Sequence, residues 1–270
     1  MPRFAPFAAI IAVAVSACPL STYAQTSSGS SMSRPTPPKL GFFTSYRFQL
    51  NAQRLLSSED SFVWDTDVGG DMDVFDFGFV RGNVLAMFEG IVGEEFRAID
   101  PNQVNYTIDL SLWWRPGGGL GELGGTFHHV SRHLSDRDKP FAIAWNMLGL
   151  QYVHAPHFGK WELGVGVRGL WTTRRSFVDY TGEVGGYFEA ARPLGRWVTF
   201  TLGGEVTAVP VVRAIRARET PVGSRVEAGF RFHGGDGVGE VFVARERRID
   251  AGPFDLEPAT FTMLGFRFRH

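Results

Sequence analysis

The feature that most constrains this chain is an alternation of apolar and polar side chains with period two, repeated at near-regular intervals from Gly41 to His270. Val104, Tyr106, Ile108, Leu110, Leu112 and Trp114 alternate with Asn105, Thr107, Asp109, Ser111 and Trp113. The same rhythm runs through Trp161, Leu163, Val165, Val167, Gly169 and Trp171, and through Val198, Phe200, Leu202, Gly204 and Val206. Successive side chains of a strand point to opposite faces, so each stretch reads as a β-strand with one apolar and one polar side. No stretch of comparable length has helical periodicity.

Turn residues between the alternating stretches divide the chain into twelve predicted strands: 42–54, 70–80, 84–96, 104–115, 122–134, 141–154, 161–172, 180–191, 197–208, 224–233, 239–248 and 260–270. The connections alternate between two kinds. Arg81-Gly82-Asn83, 116–121, 155–160, 192–196 and 234–238 are tight and bear Gly or Pro, whereas 55–69, 97–103, 135–140, 173–179, 209–223 and 249–259 are on average longer and more charged. An even number of antiparallel strands with short turns at one end and longer loops at the other is the layout of a bacterial outer-membrane β-barrel, and it sets the expected fold class: all-β, antiparallel, up-and-down, membrane-embedded. Size agrees. The stripe from Trp161 to Trp171 spans about 33 Å along a strand, or about 23 Å at a tilt near 45°, against an apolar band of roughly 25 Å in such barrels. Aromatics at both ends suit the two membrane interfaces.

The polar faces carry both signs of charge. Arg47, Gln49, Asn51, Gln53, Asp76, Glu89, Asp109, Glu162, Arg168, Glu183, Glu189, Glu205, Arg225, Glu227 and Arg231 all point into the lumen in this register. Twelve strands enclose a narrow bore, so these charges are expected to pair and close it. The acidic run Asp65 to Asp73 is read as a solvated loop; it has calcium-loop spacing at Asp71 and Asp73 but lacks the closing Glu.

Composition and the leader set the compartment. With 27 basic and 28 acidic residues there is no nucleic-acid footprint. Arg3, the apolar run Ala5 to Ala17 and Thr22-Tyr23-Ala24 form a secretory signal peptide over 1–24, overlapped by a lipobox-like Val15-Ser16-Ala17-Cys18. Residues 25–40, rich in Ser and Pro, read as a flexible linker, and 41–270 as the barrel. The expected address is the bacterial outer membrane. Its lipids or lipopolysaccharide and the barrel assembly machinery are the expected partners, and a monomer is the expected state.

Chemistry concentrates in one hairpin, Gly124 to Gln151, which holds three of the seven histidines. His129-Val130-Ser131 places an imidazole and a hydroxyl on one strand face, about 6.5–7 Å apart at Cα. A serine nucleophile needs a base and a group that orients the base. If 135–140 forms the loop, partners across the hairpin sum to about 275, which sets Asn146 opposite His129; a slip of one residue would turn it to the other face. His128 and His129 face opposite ways, and His129 and His133 stand too far apart for one ion, so no metal ligand is assigned.

His-x-Ser on one such strand with Asn on the next resembles the outer-membrane phospholipase A family, itself twelve-stranded, and His-x-Ser alone resembles the lipid A deacylase PagL. The resemblance implies Ser131 as nucleophile, His129 as base and Asn146 as orienter, with Ca²⁺ as the cofactor of a phospholipase of this kind. Arg132 follows Ser131 where the phospholipase pattern has Asn. Three functions stay open: a barrel of unassigned role with a closed or narrow lumen, an envelope lipid hydrolase, and a narrow channel.

Overall fold

The structure is a computed structural model that describes residues 35, 38–57, 59–135, 138, 141–235, 237–254 and 256–270. The leader, Cys18 and nearly all of the linker lie outside the described residues. The strands are β1 (Gly41–Leu55), β2 (Trp64–Asp76), β3 (Val80–Gly93), β4 (Asp100–Trp114), β5 (Glu122–Leu134), β6 (Ile143–His154) and the two-residue β7 (His157–Phe158). They continue with β8 (Trp161–Ser176), β9 (Gly182–Pro193), β10 (Val198–Ala208), β11 (Val222–His233), β12 (Val238–Arg248) and β13 (Ala259–Arg269).

Consecutive long strands pair antiparallel, β6 pairs with β8 across the short β7, and β1 pairs with β13, so twelve long strands close into a barrel. At the closing seam Gln49 stands opposite Arg269 and Leu55 opposite Met263. Phe48 and His270 exchange backbone hydrogen bonds of 3.1 and 3.0 Å, and the His270 ring stacks on Tyr46. Among the described residues, closure leaves no long strand with an unpaired edge.

The apolar face of every long strand points outward. Phe48, Leu50, Val68, Ile108, Leu110, Leu112, Val165, Val167, Val206, Val226, Val243, Leu264 and Phe266 are all exposed. Trp114, Phe79, Phe158 and Trp197 ring the short-turn end, and Trp64 and Trp171 stand toward the loop end. In water such an exterior would be a large unsatisfied apolar surface; in a bilayer it is the surface that faces oil.

One predicted segment is displaced. Arg81, Gly82 and Asn83 are not a turn: the turn is Phe77-Gly78-Phe79, and all three lie in β3 with Arg81 fully buried. The acidic run is not a loop either, but β2. Its carboxylates at 65, 67, 71 and 73 point into the bore, where Arg47 binds Asp71 at 2.6 Å and Arg81 binds Asp73. Weak strand formers such as Gly and Asp hid the strand; lumen arginines supply what they lack.

Ion pairs and hydrogen bonds cross the bore, as the mixed charges of the polar faces lead one to expect. Arg225 joins Gln53, Glu227 and Glu246; Arg267 joins Glu227; Arg248 joins Asp65, Glu246 and Glu89; Arg168 joins Glu183. Trp113 is buried with the Arg81 guanidinium over its ring at 5.1 Å, and it covers Gly124, where a Cβ would lie 2.7 Å from the indole.

The loop end adds a second closure that alternation did not foretell. The segments 177–181, 209–221 and 249–258 supply Val178, Tyr180, Val209 and Ile249 to a cluster with the inward residues Ile143, Met147 and Leu170. Above it Arg218 binds both Asp179 and Asp250, and Tyr180 donates to Asp250 at 2.6 Å. From below, Arg132 of β5 donates to the Asp250 carbonyl at 2.7 Å. Burial and the neighbouring Asp250 carboxylate push the Tyr180 hydroxyl well above the ordinary phenol range. Burial opposes the Arg218 charge, but its hydrogen bonds to Asp179 and Asp250 outweigh this and hold it above the usual guanidinium range.

Candidate functional site

The hairpin β5–β6 forms in the register that sums to 275: His129 stands opposite Asn146, and Ser131 opposite Ala144. Because side chains alternate, His128, Val130 and Arg132 face the lumen while His129, Ser131 and His133 face out. His128 is buried and bonds Asp109 at 2.6 Å, so it belongs to the bore. His129, Ser131, His133 and Asn146 are half-buried on the outer wall.

His129 Nδ1 lies 2.6 Å from Asn146 Oδ1. An amide oxygen only accepts, so Nδ1 carries the hydrogen and Nε2 keeps a free lone pair, the tautomer a general base requires. Ser131 Oγ lies 2.7 Å from Nε2 of His133, on the C-terminal side of the serine. Among the described residues no hydrogen bond joins His129 to Ser131. Thus the structure unites His129 with Asn146, puts Ser131 on the same face between two imidazoles, and turns its hydroxyl toward His133. The Tyr106 ring meets His133 edge-on at 5.1 Å and Phe88 packs on Tyr106, bracing that imidazole from β4 and β3. His133 was visible in the sequence as a second histidine on the same face, but with spacings of two on either side of Ser131 nothing there distinguished the partners.

Cross-strand neighbours give the depth of this cluster. One outward row runs Ile108, His129, Asn146, Arg174 across β4, β5, β6 and β8; the next toward the loops runs Tyr106, Ser131, Ala144, Ser176. Immediately toward the short-turn end the row is Leu110, Phe127, Leu148, Trp171, wholly apolar. The polar groups therefore begin where the oily band stops. A β-bulge between Asn146 and Met147 sits at this boundary, and the hydroxyl of Thr173 donates to the Asn146 carbonyl at 3.2 Å. Bulges re-aim side chains, and this one fixes Asn146 against β8.

Among the described residues no carboxylate is in contact with Ser131 to hold a calcium ion. The groups in contact there are imidazoles, a hydroxyl and an amide, whereas Ca²⁺ takes six to eight oxygen ligands, chiefly carboxylates and carbonyls. Asp65, Asp67 and Glu89 do come within ligand distance of one another, but inside the bore, and the Arg248 guanidinium already pairs with Asp65 and Glu89.

Fold and exterior define a class: a closed, antiparallel, twelve-stranded barrel with an apolar wall and a bore crossed by ion pairs. No protein-family model matches the chain, and no curated protein matches it. Among solved structures it is similar to a bacterial polysaccharide outer membrane secretin (TM-score 0.39, 12% identity, 85% of this chain and 99% of that one). It is also similar to OmpT, an outer membrane protein of Vibrio cholerae (TM-score 0.37, 9% identity, 84% and 96%), and to CdiB from Acinetobacter baumannii (TM-score 0.39, 9% identity, 83% of this chain and 60% of that one).

Proposed function

We propose that this protein is an outer-membrane barrel whose wall carries the function, and that the function is hydrolysis of an ester bond in a membrane lipid. The observation behind this reading is the outward His129–Asn146 pair beside Ser131, at the edge of the apolar band. A lipid ester sits at that boundary, between its acyl chain and its headgroup, so the scissile bond and the serine meet at one depth without the lipid leaving the membrane.

Ser131 Oγ attacks the ester carbonyl carbon; the Oγ–C bond forms and the proton passes to His129 Nε2. As the carbonyl re-forms, the C–O bond to the leaving alcohol breaks and the alcohol takes that proton. Water then attacks the acyl-serine, giving up a proton to the same nitrogen, and the fatty acid departs as Ser131 is restored. Asn146 keeps the imidazole in the required tautomer. His133 holds the resting hydroxyl, so Oγ must leave that contact and turn toward His129 before it gives up its proton.

Purified protein in detergent micelles containing a phospholipid tests this. Ser131→Ala is expected to abolish ester release, and His129→Ala to lower it by about 10²–10⁴-fold, the contribution of a positioned base. His133→Ala should stay within about tenfold of wild type, since it removes a resting contact and not the proton acceptor. Equal release by wild type and Ser131→Ala would leave a surface barrel without this chemistry.

A further inference from the structure

Arg174 is the one polar member of the outward row Ile108, His129, Asn146, Arg174 that the hydrolysis scheme leaves unused. It is exposed, stands directly across from Asn146 on β8 and, among the described residues, has no hydrogen bond or ion pair. The next residue, Arg175, turns inward and donates to the Tyr180 carbonyl at 2.5 Å, so the strand separates one cation for the plug from one for the wall. Two strand spacings, about 10 Å, separate the Cα of Arg174 from that of His129, a gap that an extended arginine and a bound lipid bridge together.

An unpaired guanidinium at the edge of an apolar wall is costly unless an anion meets it. Trp171, three residues nearer the short-turn end, is 56% exposed and lies in the apolar row. Arg174 stands in the His129 row, two residues nearer the short-turn end than the Ser131 row, so a ligand spanning both has an acyl chain against Trp171, Leu148 and Phe127, an ester near Ser131, and an anionic group beside β8 within the reach of an extended arginine. Guanidinium favours a phosphate there through paired, charge-assisted hydrogen bonds.

We infer that Arg174 binds the phosphate of a phosphate-bearing membrane lipid and makes the wall site select phospholipids over uncharged diacylglycerols. This rests on the hydrolase reading for its consequence in turnover, but the binding itself does not require turnover.

The experiment therefore has two arms. In the first, native mass spectrometry of detergent-solubilised Ser131→Ala, which cannot turn over lipid, counts phosphatidylglycerol and diacylglycerol retained from an equimolar mixture. Phosphatidylglycerol is expected to be favoured about tenfold or more, the preference falling to near parity in Ser131→Ala/Arg174→Gln and returning in part in Ser131→Ala/Arg174→Lys, which keeps the charge but not the fork. Heat-modifiable migration in gels checks that each variant is a folded barrel. Equal preference with and without Arg174 in folded protein overturns the assignment. Displacement of the lipid by an equal concentration of inorganic phosphate also overturns it, because the site would then be one for a free anion.

In the second arm, hydrolysis of both lipids is compared for wild type and Arg174→Gln. The phospholipid rate should fall about tenfold while the diacylglycerol rate holds. If neither lipid is cleaved but retention still depends on Arg174, the hydrolase reading fails and the phosphate site stands. If both lipids are cleaved and neither rate nor retention responds to Arg174, the phosphate site fails and the hydrolase stands.

Discussion

Arg81 shows what a single luminal side chain holds in place. It is fully buried, binds Asp73 and Glu122 together, and lies over the Trp113 ring. Removing one member of a buried charge cluster leaves the others desolvated with less opposite charge beside them, so Arg81→Ala is expected to destabilise the barrel by about 3–5 kcal/mol, read as a lower urea midpoint for unfolding in detergent. Arg81→Ala/Asp73→Asn should recover part of the loss, since that carboxylate is then neutral, whereas Glu122 keeps Arg115 at 2.8 Å. Sequence alone placed Arg81 in a turn because Gly82 and Asn83 are turn formers; its role depends on Glu122, 41 positions away along the chain. By contrast the pairing of His129 with Asn146 was legible, because the two arms of one hairpin fix each other's register once the loop is located. The Ser131–His133 contact was not: His129 and His133 flank the serine at equal spacing, and only side-chain rotamers decide between them.

At the scale of elements, the strands were readable wherever two solvents sorted the side chains, and unreadable where one solvent did. β4, β8 and β10 fall within a few residues of their predicted spans. β2, rich in Asp and Gly, was started too late, although its inward carboxylates recur with period two. The loop segments that plug the bore have no periodicity to betray them, and their Tyr180, Arg218 and Asp250 cluster was invisible. Its chemistry makes a pH prediction. An unfolded tyrosine ionises near about pH 10, whereas buried Tyr180, donating to Asp250, keeps its proton above that. The folded state thus binds more protons than the unfolded one above that pH, so the stability this group contributes is present below about pH 10 and declines as pH rises further. Absorbance titration of tyrosinate should show one group that ionises only as the barrel unfolds, and Tyr180→Phe should delete that component and flatten the alkaline loss of stability. An ordinary titration of every tyrosine would contradict the plug.

The whole molecule combines an apolar wall that turns polar on β5, β6 and β8 near the loop end with a bore crossed by ion pairs along the strands and packed with loop residues at one end. Planar-bilayer recordings of the wild type should show no unitary conductance, while Arg218→Ala, which unfastens Asp179 from Asp250, should raise the frequency of brief openings without producing a wide pore, because Arg225, Arg248 and Arg267 still cross-link the strands; steady wild-type conductance would refute the closed bore. The seam between β1 and β13 has a consequence of another sort. Every other long-strand pair joins neighbours along the chain, so those hairpins can assemble from nearby sequence, while this pair must bring together the two most distant strands. The entropic toll of that encounter is met once and late. The cylinder should therefore snap shut in a single concluding event, and until then the nascent sheet carries two open flanks that something else must shelter.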